Sequence, residues 1–310
     1  MRGFFTTAVM LLFLSCSGGQ KADSDFDASV ARPAYTANGP KVLFDEAHNN
    51  VHKSTDRYEP LAKLLANDGY QVTAGKEKFS GEALKGYSVL IIVGALSEDE
   101  HTDHPAFSPE ECKAVENWVR EGGSLLLIVD HYPFGSTAQS LADRFGVQMS
   151  KGYTEDSALY DKESGDVSQI VFSQMDGSLA GHSITLGRDT TERINRVMTF
   201  TGTSLLAADS AAAFLKLSDR ALDFAPSAKI EKSGGDTKTI VTYGNPASAA
   251  GRAQGVAMQF GKGRVVILGE AAMLSAQITK NGKPVGMNYS GNDNKQLALN
   301  IMHWLSGVVE

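Results

Sequence analysis

The sequence predicts an α/β fold, a doubly wound and mostly parallel sheet with a β-rich elaboration in its middle. Three observations predict it. Residues 88–94 and 124–130 are short, continuously apolar runs of strand length, the form a parallel strand takes when both its faces are buried. Amphipathic segments with helix start and stop signals lie beside these runs. From about 150 to 255 the chain instead holds short β segments broken by Gly, Ser and Asp, before an apolar run returns at 263–270.

In chain order, Lys41, Val42, Leu43, Phe44 and Asp45 read as a short buried strand. Tyr58, Leu61, Leu64 and Leu65 recur at helical spacing and stop at Gly69, a residue suited to ending a helix. Residues 71–73 read as a weaker strand, and 88–94 as the next. The clearest helix start follows: Ser108 caps, Pro109 takes the first helical position, and Glu111 closes a capping box. Its apolar face is Cys112, Val115, Trp118 and Val119, and Gly122-Gly123 ends it. A strand over 124–130 and a helix near 137–145 complete this half. In the elaboration, 169–172, 196–201 and 239–243 read as β segments. Gly261-Lys262-Gly263 reads as a hairpin turn between two β runs, not a phosphate loop. The closing helix, about 294–305, gathers Leu297, Ile301, Trp304 and Leu305 on one face.

Composition narrows the function classes. The 310 residues carry 29 Lys plus Arg against 36 Asp plus Glu, a formal charge of −7, so a nucleic-acid partner is not expected. Two cysteines, Cys16 and Cys112, exclude a disulfide framework or a cysteine-rich zinc module. After Arg2, the apolar run 4–14 is too short to span a bilayer and has the length of a secretory signal core. It ends in Phe13-Leu14-Ser15-Cys16, which resembles the lipobox of bacterial lipoproteins, although Phe13 and Leu14 depart from the usual Leu and small residue. The expected organisation is a signal peptide over 1–15, lipidated Cys16, a flexible tether over 16–39, and one α/β domain over 40–308. That protein would sit in the bacterial envelope facing the periplasm, on the outer rather than the inner membrane, with the lipid as its membrane contact and no protein partner identified.

In open α/β sheets ligands bind beyond the carboxyl ends of the strands. The first strand exits into Asp45-Glu46-Ala47-His48-Asn49-Asn50, the 124–130 strand into Asp130-His131, and the late strand into Gly269-Glu270. His48, His131 and Glu270 are therefore the candidate catalytic residues, and Asp45, Glu46, Asn49, Asp130 and Asn292 the candidate ligand-binding ones. Such a set also suits a divalent ion, though no tight ligand spacing such as HExxH occurs. No cofactor is expected; a divalent metal stays open. Cys112, on an apolar helix face, reads as a buried structural thiol, and His182 and His303 as structural. His101 and His104 read as surface residues at the rim.

The helix ending Trp118-Val119-Arg120-Glu121-Gly122-Gly123, the strand ending Asp130-His131, the late Gly269-Glu270-Ala271-Ala272 and the closing helix resemble the class I glutamine-amidotransferase-like superfamily. The likeness is to an uncharacterised bacterial branch related to gliding-motility ABC-transporter auxiliary and trehalose-utilisation-type domains, and covers about 40–150 and 255–308. It implies a flavodoxin-like, amidotransferase-like sheet. True amidotransferases place a cysteine at the turn where this chain has His131, so thiolate glutamine hydrolysis is not expected. Three readings remain: binding of a small polar or saccharide ligand, hydrolysis by His and carboxylates with or without metal, and a transporter accessory or envelope scaffold.

Overall fold

A computed structural model describes residues 12–13, 19–99, 102–208, 210–233 and 236–310. Cys16 and His101 lie outside the described residues. The fold is mixed α/β and rich in strands, and a nine-stranded sheet forms its centre. Five of these strands are parallel: β1 (Lys41–Asp45), β2 (Gln71–Gly75), β3 (Val89–Val93), β4 (Ser124–Ile128) and β9 (Gly263–Leu268), in the order β2-β1-β3-β4-β9. The remaining strands are β5 (Val147–Met149), β6 (Leu205–Ala207), β7 (Ala212–Lys216) and β8 (Ala253–Phe260), all antiparallel additions. β8 returns against β9 through the turn at Gly261-Lys262, then pairs with β6 and β7, and β6 pairs with β5.

The alternation of side chains along each strand explains why these segments are apolar throughout. Val42, Phe44, Ile91, Leu126 and Val266 point to a core shared with α1 (Glu59–Asn67) and α4 (Asn294–Leu305). Leu43, Leu90, Ile92, Leu127 and Ile267 point the other way, to α2 (Pro109–Arg120) and α3 (Phe134–Ala142). The capping box of α2 forms as expected: Glu111 N–H donates to Ser108 Oγ at 3.2 Å, and Ser108 N–H to Glu111 Oε2 at 3.0 Å, an arrangement worth about 1 kcal/mol. α3 begins at Phe134, three residues before the expected start, and runs into a 3₁₀ turn at Asp143–Phe145.

The middle of the chain packs around the antiparallel edge. Tyr153–Asp156 pairs with Ala221–Phe224, and Val171–Ser173 with Arg196–Met198. A long hairpin joins Pro226–Ser233 to Asp236–Tyr243, so the segment expected at 239–243 is the end of an eight-residue strand. Leu12–Phe13 adds to that hairpin, Leu12 lying opposite Val241.

The flexible tether expected over 16–39 is not found in its described part, residues 19–39. Gln20–Ala22 adds a strand to Ala276–Thr279, which pairs in turn with Pro284–Gly286. Beyond it Phe26, Ala28, Val30 and Tyr35 pack on the core of α1 and α4. Ala34 N–H donates to Asp68 Oδ1 at 2.7 Å, and Tyr35 stacks edge-on against Tyr70 at 5.3 Å. A segment small and polar on average docks because a few well-spaced apolar side chains bury and its backbone finds partners. Among the described residues no helix is long and apolar enough to cross a membrane.

Candidate functional site

At the carboxyl end of the parallel strands lies a cleft of about 550 Å³. Asp130 and His131, just beyond β4, form part of its floor with His52, Arg57 and Val51 from the loop that leaves β1. Tyr132, Phe134 and Tyr243 supply aromatic walls, and Gln277, Thr279, Lys280 and Asn281 the opposite rim. Gly94, at the end of β3, has φ +56°, and a Cβ there would come within 3.3 Å of the His52 ring and 3.4 Å of Phe134. Glycine is thus required both by backbone conformation and by the closeness of two floor side chains.

The protonation states follow from burial and hydrogen bonds. His131 Nδ1 lies 2.9 Å from the Tyr132 carbonyl, which only accepts, so Nδ1 carries the proton and Nε2 keeps its lone pair. Burial holds the imidazole below its usual range, so it is neutral at pH 7. His52 is 6% exposed, and its Nδ1 has no hydrogen-bond partner among the described residues. Burial, followed by the charges of Arg57 and His131, pushes it down to about 3.

Beside these imidazoles two carboxyl groups interact. Asp130 Oδ1 accepts the His131 N–H at 2.7 Å. Glu270, fully buried at the end of β9, accepts the N–H groups of Ala272 and Met273, each at 2.7 Å. Burial, joined for Glu270 by the charge of Asp130, pushes both acids up to about 8. The pair therefore holds a proton at neutral pH. Gly202 makes room for it, since a Cβ at that position would fall 2.6 Å from Glu270 Cβ. Tyr58, fully buried, donates its O–H to the Ala271 carbonyl, and its own ionisation is raised by burial and by both acids. The result is a floor whose imidazoles and acids are largely uncharged, with the Arg57 guanidinium beside them and aromatic walls around.

The structure separates the other candidates from this cleft. His48 is 1% exposed and caught between two carboxylates: Nδ1 lies 2.9 Å from Asp45 Oδ1 and Nε2 2.8 Å from Glu111 Oε1. Phe79 and Phe107 pack on its ring at 4.5 and 4.8 Å. Asp45 also accepts from Ala47 N–H and Asn50 Nδ2, so it ties the loop after β1 rather than facing a ligand. Burial raises Glu111, but hydrogen bonds from His48 and Ser108 outweigh it and bring the acid down to about 2. Glu46 binds Ser54 and Lys76. Asn49, in a left-handed conformation at φ +46°, donates to the Ser97 carbonyl at 2.8 Å. Asn292 spends its amide on the carbonyls of Gly286 and Tyr289 while its Oδ1 accepts the Asn294 N–H at the start of α4. Of the eight candidates, Asp130 and His131 line the cleft and Glu270 is fully buried outside its lining; the other five serve local structure.

Four further histidine and cysteine readings find a place. His303 binds Asp68 at 2.8 Å within the core, and His182 caps the short helix Ser183–Leu186. Cys112 is buried, with Sγ 3.7 Å from Ser140 Oγ. His104 is exposed. Among the described residues no three His, Cys, Asp or Glu side chains gather as a metal-holding group.

His52, Arg57, Tyr58 and Tyr243 were not among the candidates the sequence offered. His52 follows the same strand exit as His48, four residues on, and that i, i+4 pairing was the available signal. Tyr243 comes from a remote hairpin and carried none.

No family model matches the chain, and no curated protein matches it. Solved structures do. The chain is similar to the mmIFT52 N-terminal domain, at 14% identity and a TM-score of 0.59, over 86% of this chain and 97% of that one. A cytoplasmic protein from Salmonella typhimurium overlaps at 12% identity and a TM-score of 0.46, over 86% and 98%. A ThuA-like protein from Bacteroides uniformis overlaps at 13% identity and a TM-score of 0.39, over 89% and 93%. At these identities the likeness to the mmIFT52 domain concerns the fold alone, a mixed α/β arrangement around a mostly parallel sheet.

Proposed function

We propose that this chain is a lipid-anchored envelope protein whose cleft binds a small polar ligand of the saccharide class, on a doubly wound, amidotransferase-like sheet that works without a thiol. One observation carries the reading: neutral His52 and His131 and the acid Asp130, raised by burial, meet the aromatic walls Tyr132 and Tyr243 at one strand edge. A sugar offers hydroxyls that both donate and accept, and C–H faces that pack on rings; such a floor and such walls match both. Arg57 and Lys280 disfavour cationic ligands, which would lose solvation without an opposing charge. Melting temperature is the test, measured with trehalose, maltose and N-acetylglucosamine at millimolar concentration. A rise of several degrees with one of them, absent in Tyr243→Ala, is expected; no shift with any would remove the reading.

Hydrolysis is the second reading, and Asp130 beside His131 in the cleft favours it, because an acid raised by burial next to a neutral imidazole base is the usual equipment of acid–base catalysis. Release of nitrophenol from nitrophenyl glycosides, lost in Asp130→Asn, would move the protein from binder to enzyme.

A further inference from the structure

We propose that the small sheet of Gln20–Ala22, Ala276–Thr279 and Pro284–Gly286 is a membrane-facing rim that holds the mouth of the cleft against an anionic bilayer. The inference rests on lipidation of Cys16 and deepens the proposed function, since the ligand would then be met at the membrane surface.

Chain length is the first argument. A free tether over 16–39, roughly 24 residues, would let the domain wander about 27 Å from its lipid on average. Docking of the segment removes that freedom. Gly19 and Gln20 line the cleft itself. Lys280 N–H donates to the Gly19 carbonyl at 2.9 Å, Asp23 N–H to the Ala276 carbonyl at 2.9 Å, and Asn288 Nδ2 to Asp23 Oδ2 at 2.8 Å. Two residues, Ser17 and Gly18, separate Cys16 from Gly19, and three fully extended steps of chain span about 11 Å. The cleft rim therefore cannot leave the headgroup region by more than that distance.

Charge is the second. Lys21, Lys280 and Lys283 are exposed on this sheet and its hairpin. Residues 276–286 contain no acidic residue, whereas Gln20–Ala22 runs on into Asp23, Asp25 and Asp27, of which Asp27 pairs with Lys295. Among the described residues no ion pair engages these three lysines, in a chain whose formal charge is −7. The basic hairpin 276–286 suits lipid phosphates, each lysine near such a surface improving attraction about fivefold. The opposite, amino end of the sheet, marked by Lys262 in the β8–β9 turn, lies about 20 Å away along β9.

The experiment uses the full chain, matured in cells and reconstituted into phosphatidylglycerol vesicles, with a fluorophore on Asn281→Cys or on Lys262→Cys. Buried Cys112 contributes little label. Lipids with a nitroxide at the headgroup should quench the Asn281→Cys label strongly and the Lys262→Cys label little. Adding Lys21→Glu, Lys280→Glu and Lys283→Glu should reduce quenching to the Lys262→Cys level. Mass spectrometry of the mature N-terminus reads acylation separately. Acylated Cys16 with an unquenched Asn281→Cys label overturns this inference and leaves the lipoprotein reading standing. Equal quenching at both positions, or quenching undiminished by the three charge reversals, also overturns it. A chain without an acyl group at Cys16 overturns both.

Discussion

Raising the pH from about 6.5 to about 8 should destabilise this protein, and two carboxyl groups set the size of the effect. Asp130 and Glu270 are pushed up to about 8, chiefly by burial, with the charge of Asp130 adding to the shift of Glu270. In an unfolded chain both groups ionise near 4. Between those values the folded protein keeps a proton that the unfolded chain has released, so stability is lost as the pH rises. One retained proton is worth about 1.4 kcal/mol per pH unit, which tapers as the folded value is reached, for a total of about 2 kcal/mol over this interval. The histidines act oppositely. His52 at about 3 and His131, lowered by burial, leave the folded state with fewer protons than the unfolded one up to about pH 7.5, so their contribution still rises early in this interval and leaves a net loss of about 1 kcal/mol. Above about pH 7.5 the carboxyl effect stands alone. Urea unfolding followed by circular dichroism at both pH values would measure the loss in the wild type and in the Asp130→Asn/Glu270→Gln double variant. The variant should start less stable, because the new amide can accept only one of the two N–H groups that Glu270 binds. Its stability, however, should no longer fall over this interval. Equal losses in the two proteins, or a wild type that gains stability, would refute the shared protonation.

Other outcomes follow from single contacts. His48→Ala should cost about 3–5 kcal/mol in chemical denaturation, because Asp45 and Glu111 would lose the ring that separates and satisfies them. Tyr58→Phe should cost about 1 kcal/mol by the same measurement, removing the donor to the buried Ala271 carbonyl. A Gly202→Ala change should weaken ligand-induced thermal shifts even if the variant folds, since the new methyl presses on Glu270. Cys112 should resist a maleimide in the native protein and react promptly in urea, because burial both hides the thiol and raises its pKa.

The sheet was legible because burial on both faces leaves unbroken apolar runs, and those at β3 and β4 stand out against any helical period. α2 was legible from its cap, and the β8–β9 hairpin from Gly261-Lys262-Gly263. The candidate site was only half legible. Strand exits pointed to Asp130, His131 and Glu270, yet the same rule drew in His48, which tertiary packing places between two carboxylates instead. Glu111 shows why: the sequence assigns it to the capping box, and that box is also what delivers its other oxygen to His48. The N-terminal segment was misread for a related reason. Its partner strand, Ala276–Thr279, lies far along the chain, and no local composition announces a backbone pairing of that kind.

Calorimetric titration of trehalose, maltose or N-acetylglucosamine into the wild type, Asp130→Asn and Tyr243→Ala asks whether the cleft is a sugar site. Saturable binding of at least one sugar to the wild type is expected, weakened about tenfold or more, roughly 1.4 kcal/mol, in each variant. Absence of binding in the wild type, or equal affinity in all three proteins, would contradict it.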